Sequence, residues 1–204
     1  DDGSVDQTSN ILEEYPKKDN RIQVHNQENQ GLTKALIRGC ALAKGEFIAR
    51  QDVGDIYFPE KLKKQLECFR QNPGVAMVTC GTRFVGPKGE QLFDVIQTHR
   101  EISEGLSDLD PEKLKGPAGH GSVMFRRRDY AAVGGYRSCF RVAQDLDLWL
   151  RLIEIGDCLP VPEILFQAEI TPGSISGALR MNQVVAKTLI IEGAKLRRAG
   201  KGEE

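Results

Sequence analysis

The chain has 204 residues, of which 28% are charged and 40% are hydrophobic, and its formal net charge is −1. This length suits one domain with a substantial core, and the near-neutral charge does not favour nucleic-acid binding. No apolar run approaches the roughly 20 residues that span a bilayer. The five cysteines have no C-x-x-C spacing, which argues against a zinc cage or a disulfide framework.

The first part of the chain predicts strands that alternate with helices. Residues 21–25 alternate as a strand, and residues 31–45 repeat apolar side chains at helical spacing. Residues 46–52 predict a second strand that ends at Asp52, and residues 75–80 predict a buried strand. This alternation predicts an α/β fold with a mostly parallel sheet, flanking helices and right-handed crossovers.

A helix is predicted to open at Pro59, because proline is well tolerated in the first helical turn. The helix is expected to bury Leu62, Leu66 and Phe69 and to point Lys61, Lys63 and Lys64 outward.

The second part of the chain has weaker periodicity up to residue 119 and clear elements after it. Residues 98–119 predict a loop with one short helix at 111–114. A strand with a solvated arginine end is predicted in 120–127, and a helix is predicted at 128–133. This helix is expected to close with a Gly134–Gly135 turn with positive φ. The last predicted elements are a long helix at 143–156, a strand at 163–170 and an amphipathic helix at 176–198.

Four carboxylates follow predicted strands. Ligands of such sheets bind beyond the carboxyl ends of the strands, so Asp1, Asp2, Asp52 and Asp55 are expected to line one cleft. Carboxylates in the 52–55 loop could hold Mg²⁺ together with substrate phosphates. The alternative is a solvated acidic loop with Asp55 near a helix N-terminus. The spacing alone slightly favours the solvated loop, because Asp-x-x-Asp is a weak signal.

Two further residues have a chemical and a structural interpretation. Asp145 is near the start of the long helix and could be a general base if it faces the cleft, or it could answer the helix dipole as Asp147 does. His120 could lie beside an acceptor or a diphosphate, or be a hydrogen-bonded loop histidine. Trp149 is expected to pack in the core.

Seven segments occur in an order that resembles the family 2 glycosyltransferases, inverting enzymes with the GT-A fold. They are "DDGSVD", "QENQGLTKAL", "AKGEFIARQDVGDIYFPEKLKKQ", "GSVMFRR", "VGGYR", "AQDLDLWLRL" and "PGSIS". The resemblance runs from Asp1 to about Ser176. Each motif is weak alone, and the ordered set is specific.

The resemblance implies a role for each matching residue. Asp1 and Asp2 match an acidic pair at the nucleotide, where Asp2 would bind the base, and Lys34 matches a basic residue near the nucleotide. Asp52 and Asp55 match the metal-binding motif for Mg²⁺ or Mn²⁺. Asp145 matches the catalytic base. His120 and Gly135 fall on the acceptor or diphosphate side.

The sequence departs from the family pattern at five positions. Gly54 replaces the Asp that is usually the principal metal ligand, so either Asp52 or Asp55 takes the ion or metal binding is weak or absent. Ile37 replaces an Asn near the nucleotide, and Gln144 replaces a Glu beside the base. Glu169 and Thr171 stand where the family often has Arg and His, and Glu169 would repel a diphosphate.

The resemblance also implies a domain organisation. Residues 1–176 would form the catalytic domain, and residues 177–204 a C-terminal amphipathic helix and tail. Family members begin upstream of the position of Asp1 with a buried strand and a helix, so this chain is expected to lack its first strand–helix unit.

The leading functional hypothesis is an inverting transfer of a sugar from a nucleoside-diphosphate donor, UDP favoured, to a glycan or lipid-linked hydroxyl acceptor. The expected setting is cell-surface polysaccharide biosynthesis in the cytoplasm, with peripheral association at the inner membrane face as one option and without a nucleic-acid partner. One alternative is a catalytically impaired nucleotide-sugar or glycan-binding relative, which Gly54, Ile37 and Glu169 motivate. A second alternative is a sugar nucleotidyltransferase, against which "QDLDLWLRL" argues.

Overall fold

A mixed six-stranded sheet lies at the centre of the computed structural model, which describes residues 1–171 and 180–202. Its strands are β1 (Phe47–Ala49), β2 (Ile56–Tyr57), β3 (Val75–Val85), β4 (Gln91–Val95), β5 (Met124–Arg126) and β6 (Asp157–Glu169). They lie in the order β1, β5, β3, β6, β2, and β4 pairs with β3. The predicted α/β class is confirmed.

The pairing of the strands differs from the predicted one. Within the described residues only β3 and β6 pair in parallel, and the other pairs are antiparallel. Because β5 is antiparallel to both β1 and β3, the strands β1, β3 and β6 still run in one direction. The alternating pattern therefore predicted the shared direction of β1 and β3. The strand in 120–127 was predicted too, but not its antiparallel insertion between β1 and β3, because local periodicity does not report which strands pair.

Helices cover both faces of this sheet. They are α1 (Thr8–Glu13), α2 (Tyr15–Lys18), α3 (Leu32–Leu42), α4 (Lys61–Gln71), α5 (His99–Ser107), α6 (Arg127–Ala132), α7 (Gln144–Leu152) and α8 (Arg180–Arg198). Successive strand side chains point to opposite faces, so Met77 joins a core with α5, α7 and α8, whereas Val78 joins a second core with α4. In the part of the chain that is described, no helix is long and apolar enough to cross a bilayer.

Residues 21–25 do not form the predicted strand. Their neighbour is the start of the chain, where the Asp1 amino group donates to the His25 carbonyl at 2.8 Å and the Gln27 N–H donates to the Asp1 carbonyl at 3.0 Å. Two such bonds do not make a ladder. An alternating sequence needs a partner of matching length to become a strand.

Residues 98–119 are more ordered than predicted. The predicted loop contains α5, and the predicted helix at 111–114 is only a turn. The start of α5 is a capping box, in which the Thr98 hydroxyl accepts from the Glu101 N–H and the Glu101 carboxylate accepts from the Thr98 N–H. This T-x-x-E signal was present in the sequence and identifies the helix start.

The buried face of α4 is rotated from the predicted one. Lys61, Gln65 and Phe69 are fully buried at a spacing of four residues, whereas Leu62 is 44% exposed. The reason is a polar network: Lys61 Nζ donates to Gln65 Oε1 at 3.0 Å, and Gln65 Nε2 donates to the carbonyls of Val78 and Ser122. The prediction that Lys61 points outward was therefore wrong.

The sequence predicted that the arginines at the end of β5 are solvated, but the first of them, Arg126, is buried. Arg126 is 7% exposed and donates to the carbonyls of Val75 and Phe69 at 3.0 and 3.1 Å. The Gly134–Gly135 turn has positive φ at both residues, as predicted.

The last predicted elements are only partly described. Helix α8 confirms the helical prediction from residue 180 onward. The segment "PGSIS", the helix start at 176 and the predicted domain boundary after residue 176 lie outside the described residues.

Candidate functional site

The loop between β1 and β2 holds an ion pair between a buried arginine and a partly exposed aspartate. Arg50 Nη2 lies 2.5 Å from Asp52 Oδ1, and the Arg50 side chain is only 10% exposed. The Tyr57 hydroxyl donates to the Arg50 carbonyl, and Gln51 Nε2 donates to the Asp55 carbonyl at 2.9 Å. Hydrogen bonds on both sides of Asp52 therefore fix the shape of this loop.

Asp55 is the second carboxylate of the loop. Burial raises its pKa to about 6, although the Glu169 N–H donates to its Oδ1 at 3.3 Å and opposes the shift. The neighbouring Asp52 carboxylate raises the pKa further. Asp55 thus changes charge within the working range of many enzymes, unlike a surface aspartate.

Gly54 lies between them with a φ of +91°, a conformation that side-chain-bearing residues rarely adopt. A Cβ at this position would lie 3.6 Å from Glu169 Oε2. The carboxylate of Glu169 therefore faces the space that a side chain at position 54 would enter.

Asp145 is in the first turn of α7, which begins after Ala143 in the left-handed conformation at a φ of +55°. Its Oδ1 accepts the Leu146 N–H at 2.9 Å. Burial raises the pKa of Asp145, while the Leu146 N–H and the Arg50 charge act in the opposite direction. Asp145 is therefore a stronger base than a solvated aspartate.

His120 connects Asp145 to the aromatic core. Its Nε2 lies 2.6 Å from the Tyr136 hydroxyl, and its Nδ1 lies 3.9 Å from Asp145 Oδ2. The ring meets Trp149 edge to face at 6.0 Å, and Trp149 is buried as predicted. Burial and the Arg50 charge hold the pKa of His120 well below its usual value, so the ring is neutral.

These residues line one cleft of about 760 Å³. Its lining includes Arg50, Asp52, Asp55, His120, Asp145, Trp149, Glu169 and Lys187. The volume is in the range of small-molecule and cofactor sites. The structure therefore brings together four residues singled out in the sequence, namely Asp52, Asp55, His120 and Asp145.

The other four predicted site residues lie outside the lining of this cleft. Asp1 lines a neighbouring depression, and exposed Lys34 lines another at the start of α3. The Asp2 carboxylate accepts the N–H groups of residues 30 and 31 at 3.0 and 2.8 Å. At buried Gly135 a Cβ would lie 2.7 Å from the Tyr130 hydroxyl. Their functional roles stay predictions.

Three residues that line the cleft or contact its lining were missed in the sequence. Arg50 stands two residues before Asp52 at the end of a predicted strand, which is a visible signal. Tyr136 and Lys187 belong to distant segments, and only tertiary packing brings them to His120 and to the cleft.

A family model described as "Glycosyl transferase family 2" matches residues 1–133. The chain belongs to this family. The Bacillus subtilis protein EpsE is 31% identical over 163 residues, which cover 76% of this chain and 55% of EpsE. The Escherichia coli O-antigen biosynthesis glycosyltransferase WbnJ is 30% identical over 70% of this chain and 53% of WbnJ. This family 2 chain spans about half the length of these curated relatives.

Solved structures support the GT-A fold of this family 2 chain. S. aureus TarS 1–349 in complex with UDP superposes with a TM-score of 0.62 at 17% identity, over 98% of this chain and 61% of TarS 1–349. The mannosyltransferase PcManGT of Pyrobaculum calidifontis, in complex with GDP-Man and Mn²⁺, superposes with a TM-score of 0.65 at 18% identity, over 99% of this chain and 55% of PcManGT.

The donor set of the cleft does not fit a preformed Mg²⁺ or Mn²⁺ site. Asp52 already faces the Arg50 guanidinium, and Asp55 accepts a backbone N–H. Position 54 has no side chain. Within the described residues, no group of three His, Cys, Asp or Glu side chains is arranged to hold a metal ion.

Proposed function

We propose that the cleft transfers a sugar from a nucleoside-diphosphate donor to a hydroxyl acceptor with inversion, and that Asp145 is the general base. The observation that carries this proposal is that Asp145 lines the same cleft as Arg50, Asp52 and Asp55. Asp145 is distant from these three residues in sequence and lies beyond the matched residues 1–133. The Asp145 side chain is 29% exposed, so it can reach an acceptor hydroxyl in the cleft, and the ion pair of Arg50 with Asp52 lines the same cleft.

The proposed step is a single displacement. Asp145 takes the proton of the acceptor hydroxyl, and the hydroxyl oxygen attacks the anomeric carbon from the face opposite the diphosphate. The bond between that carbon and the diphosphate oxygen breaks, and its electron pair leaves with the nucleoside diphosphate. The raised pKa of Asp145 makes the carboxylate a better proton acceptor than a solvated one.

The leaving diphosphate needs positive charge as the bond breaks. Arg50 and Lys187 are cations of the cleft lining. Asp52 holds the Arg50 guanidinium in place, and the Pro111 carbonyl accepts from Lys187 Nζ at 2.6 Å. The expectation of Mg²⁺ or Mn²⁺ at Asp52 and Asp55 therefore resolves, in our proposal, toward weak or absent metal binding.

The substrates are proposed from the relatives. The names of WbnJ and of the Erwinia amylovora glycosyltransferase AmsE refer to O-antigen and amylovoran biosynthesis, which supports a surface-polysaccharide pathway. A glycan or lipid-linked acceptor at the cytoplasmic face of the membrane is proposed from the family resemblance. TarS was solved with UDP and PcManGT with GDP-Man, and both complexes support a nucleoside-diphosphate donor. A UDP-sugar is the donor that we propose. Nucleotide binding by Asp1, Asp2 and Lys34, and an acceptor-side role for Gly135, are proposed from the family resemblance.

The second candidate function is donor binding without turnover. It is favoured by Gly54, which replaces the usual metal ligand, and by the Glu169 carboxylate that faces it. Both reduce the positive charge available to a bound diphosphate. The nucleotidyltransferase alternative loses its support, since the chain belongs to a glycosyltransferase family.

The test measures release of nucleoside diphosphate across a panel of nucleotide sugars, with and without a mixed glycan acceptor, for the wild type and Asp145→Asn. We expect turnover to fall about 100-fold or more in the variant while UDP affinity, measured by titration calorimetry, stays within about twofold, since the base touches the acceptor. Asp94→Asn, which alters an exposed pair with Arg83, is the matched control. Donor binding without turnover by the wild type would support the second candidate.

A further inference from the structure

His120 lies between a phenol and the proposed base. The Tyr136 hydroxyl is 2.6 Å from Nε2, and Asp145 Oδ2 is 3.9 Å from Nδ1 on the other side of the ring. The His120 side chain is 8% exposed, and Tyr136 is 5% exposed. Both ring nitrogens therefore face fixed protein groups.

The chemistry of a neutral imidazole makes these contacts interdependent. One nitrogen carries the proton and the other carries a lone pair. If the Tyr136 hydroxyl donates to Nε2, the proton is on Nδ1 and points toward the Asp145 carboxylate. The other tautomer would turn the Nδ1 lone pair toward a negative charge, which is unfavourable.

We propose that His120 is a positioning residue for the general base: its Nδ1–H orients the Asp145 carboxylate, and the Tyr136 hydroxyl fixes the tautomer that makes this possible. The inference rests on the proposed function, because it assigns His120 a role through Asp145. The gap of 3.9 Å shortens when substrate is bound, as catalytic hydrogen bonds commonly do.

The charges around His120 keep the ring neutral. Arg50 is the cation that acts on it, and it also acts on Asp145. Asp145 is the carboxylate next to the ring, and Trp149 packs against it from α7. A protonated imidazole would be penalised by burial and by Arg50, so His120 offers a neutral donor and does not take up the proton of the acceptor.

The first test reads the tautomer directly and needs no substrate. Two-dimensional ¹H–¹⁵N spectra of the ¹⁵N-histidine-labelled chain contain signals from His25, His99 and His120, and the His120→Gln variant assigns the third. We expect the neutral Nδ1–H tautomer at neutral pH, and a shift toward Nε2–H in Tyr136→Phe. An Nε2–H tautomer in the wild type would overturn the proposal.

The second test uses two amides that imitate different ring nitrogens. Asn at position 120 keeps a donor near the place of Nδ1, whereas Gln keeps one near the place of Nε2. We expect His120→Gln to lower kcat about 30-fold with a small change in KM, and to move the acidic limb of the kcat/KM profile to higher pH, because the ionised carboxylate loses a donor. We expect His120→Asn to recover at least about tenfold of that loss.

Equal kcat and unchanged acidic limbs in the two variants, with melting temperatures near that of the wild type, would refute the positioning role even if Asp145→Asn is inactive. An active Asp145→Asn variant would instead refute the proposed function. If a His120 variant fails to fold, the tautomer of the wild type still decides whether the proposal holds.

Discussion

Lys61 is a cation in the core of the molecule. It is fully buried, its Nζ lies 3.8 Å from the centroid of the Tyr57 ring, and it donates to Gln65 Oε1 at 3.0 Å. Burial lowers the pKa of Lys61 to about 8. The unfolded chain binds this proton more tightly than the folded chain does, so the charged lysine opposes folding at neutral pH.

We predict that Lys61→Met raises the free energy of unfolding at pH 7 by roughly 1–3 kcal/mol, because the apolar side chain fills the same space without a desolvated charge. The free energy of unfolding of the wild type should rise with pH between the folded pKa of about 8 and the ordinary lysine pKa of 10.5, and this rise should be absent in the variant. Urea denaturation at several pH values measures the gain in the variant and the pH dependence of the wild type. The control is Lys63→Met, because Lys63 lies on the same helix and is 66% exposed. A less stable Lys61→Met would show that the charge contributes to folding.

Asp55 titrates inside the cleft, at a pKa of about 6. Its protonation removes a negative charge from a site proposed to bind a diphosphate. We predict that UDP affinity increases roughly threefold from pH 7.5 to 5.5, the effect of one screened charge, after correction for the ionisation of UDP itself.

In Asp55→Asn, the affinity at pH 7.5 should already match the low-pH value of the wild type, and its pH dependence should be flat. Titration calorimetry at a series of pH values measures the UDP affinity of both proteins. Glu67→Gln, an exposed carboxylate on α4, should leave the profile unchanged. A wild-type affinity that falls on acidification would contradict the prediction.

At the scale of elements, an ion-pair network ties α7 to the loop after α6. The Asp147 carboxylate is 1% exposed and accepts from Arg151 Nη2 at 2.5 Å and from Arg137 Nε at 3.1 Å. Arg151 Nη1 also donates to the Val133 carbonyl. This network holds the helix that carries Asp145.

We predict that Asp147→Asn lowers the free energy of unfolding by about 3 kcal/mol, since it leaves the Arg151 charge buried without its carboxylate. Asp94→Asn removes an ion pair whose partners are each about one-third exposed, and it should cost about 1 kcal/mol or less. Chemical denaturation compares the two variants. Equal losses would mean that burial of the Asp147 network has no energetic weight.

The sequence predicted elements best where one face repeats. The helical prediction for α7 is confirmed, and the start of α5 could have been found from Thr98 and Glu101. The buried face of α4 could not, because its pattern of leucines is outweighed by the polar bonds of Gln65 to residues 78 and 122, which are distant in sequence. Buried polar networks are tertiary properties, and local periodicity does not report them.

At the scale of the whole molecule, α8 belongs to the main core and to the cleft. Ile190 and Ile191 are each 1% exposed in the cluster that contains α5 and α7, whereas Leu189 is 60% exposed. Lys187 of the same helix lines the cleft. Packing of this helix therefore affects both stability and the site.

We predict that Ile190→Ala lowers the free energy of unfolding by about 3 kcal/mol, because it leaves a cavity in the core. Leu189→Ala should change it by about 0.5 kcal/mol or less. Thermal and urea unfolding of the two variants measure the difference. A loss in Leu189→Ala as large as that in Ile190→Ala would mean that the outer face of α8 is covered.

The site shows the same division between local and tertiary information. Asp52, Asp55, His120 and Asp145 could be located by motif, and the structure brings them together. The ion pair of Arg50 with Asp52 could not, because the sequence shows their proximity but not which group the guanidinium faces. The bond between His120 and Tyr136 depends on how two loops pack.

The parallel pairing of β3 with β6 has a kinetic consequence. It joins residues 75–85 to residues 157–169, so α5, β5, α6 and α7 must all be looped out before the central ladder can close. Loop-closure entropy is lost before these distant contacts are gained, and chains of high contact order refold slowly. Before β6 pairs with β3, one edge of β3 exposes unpaired backbone amides and carbonyls, which can bind to other chains. Dilution during refolding should therefore raise the yield of native protein more than added time does.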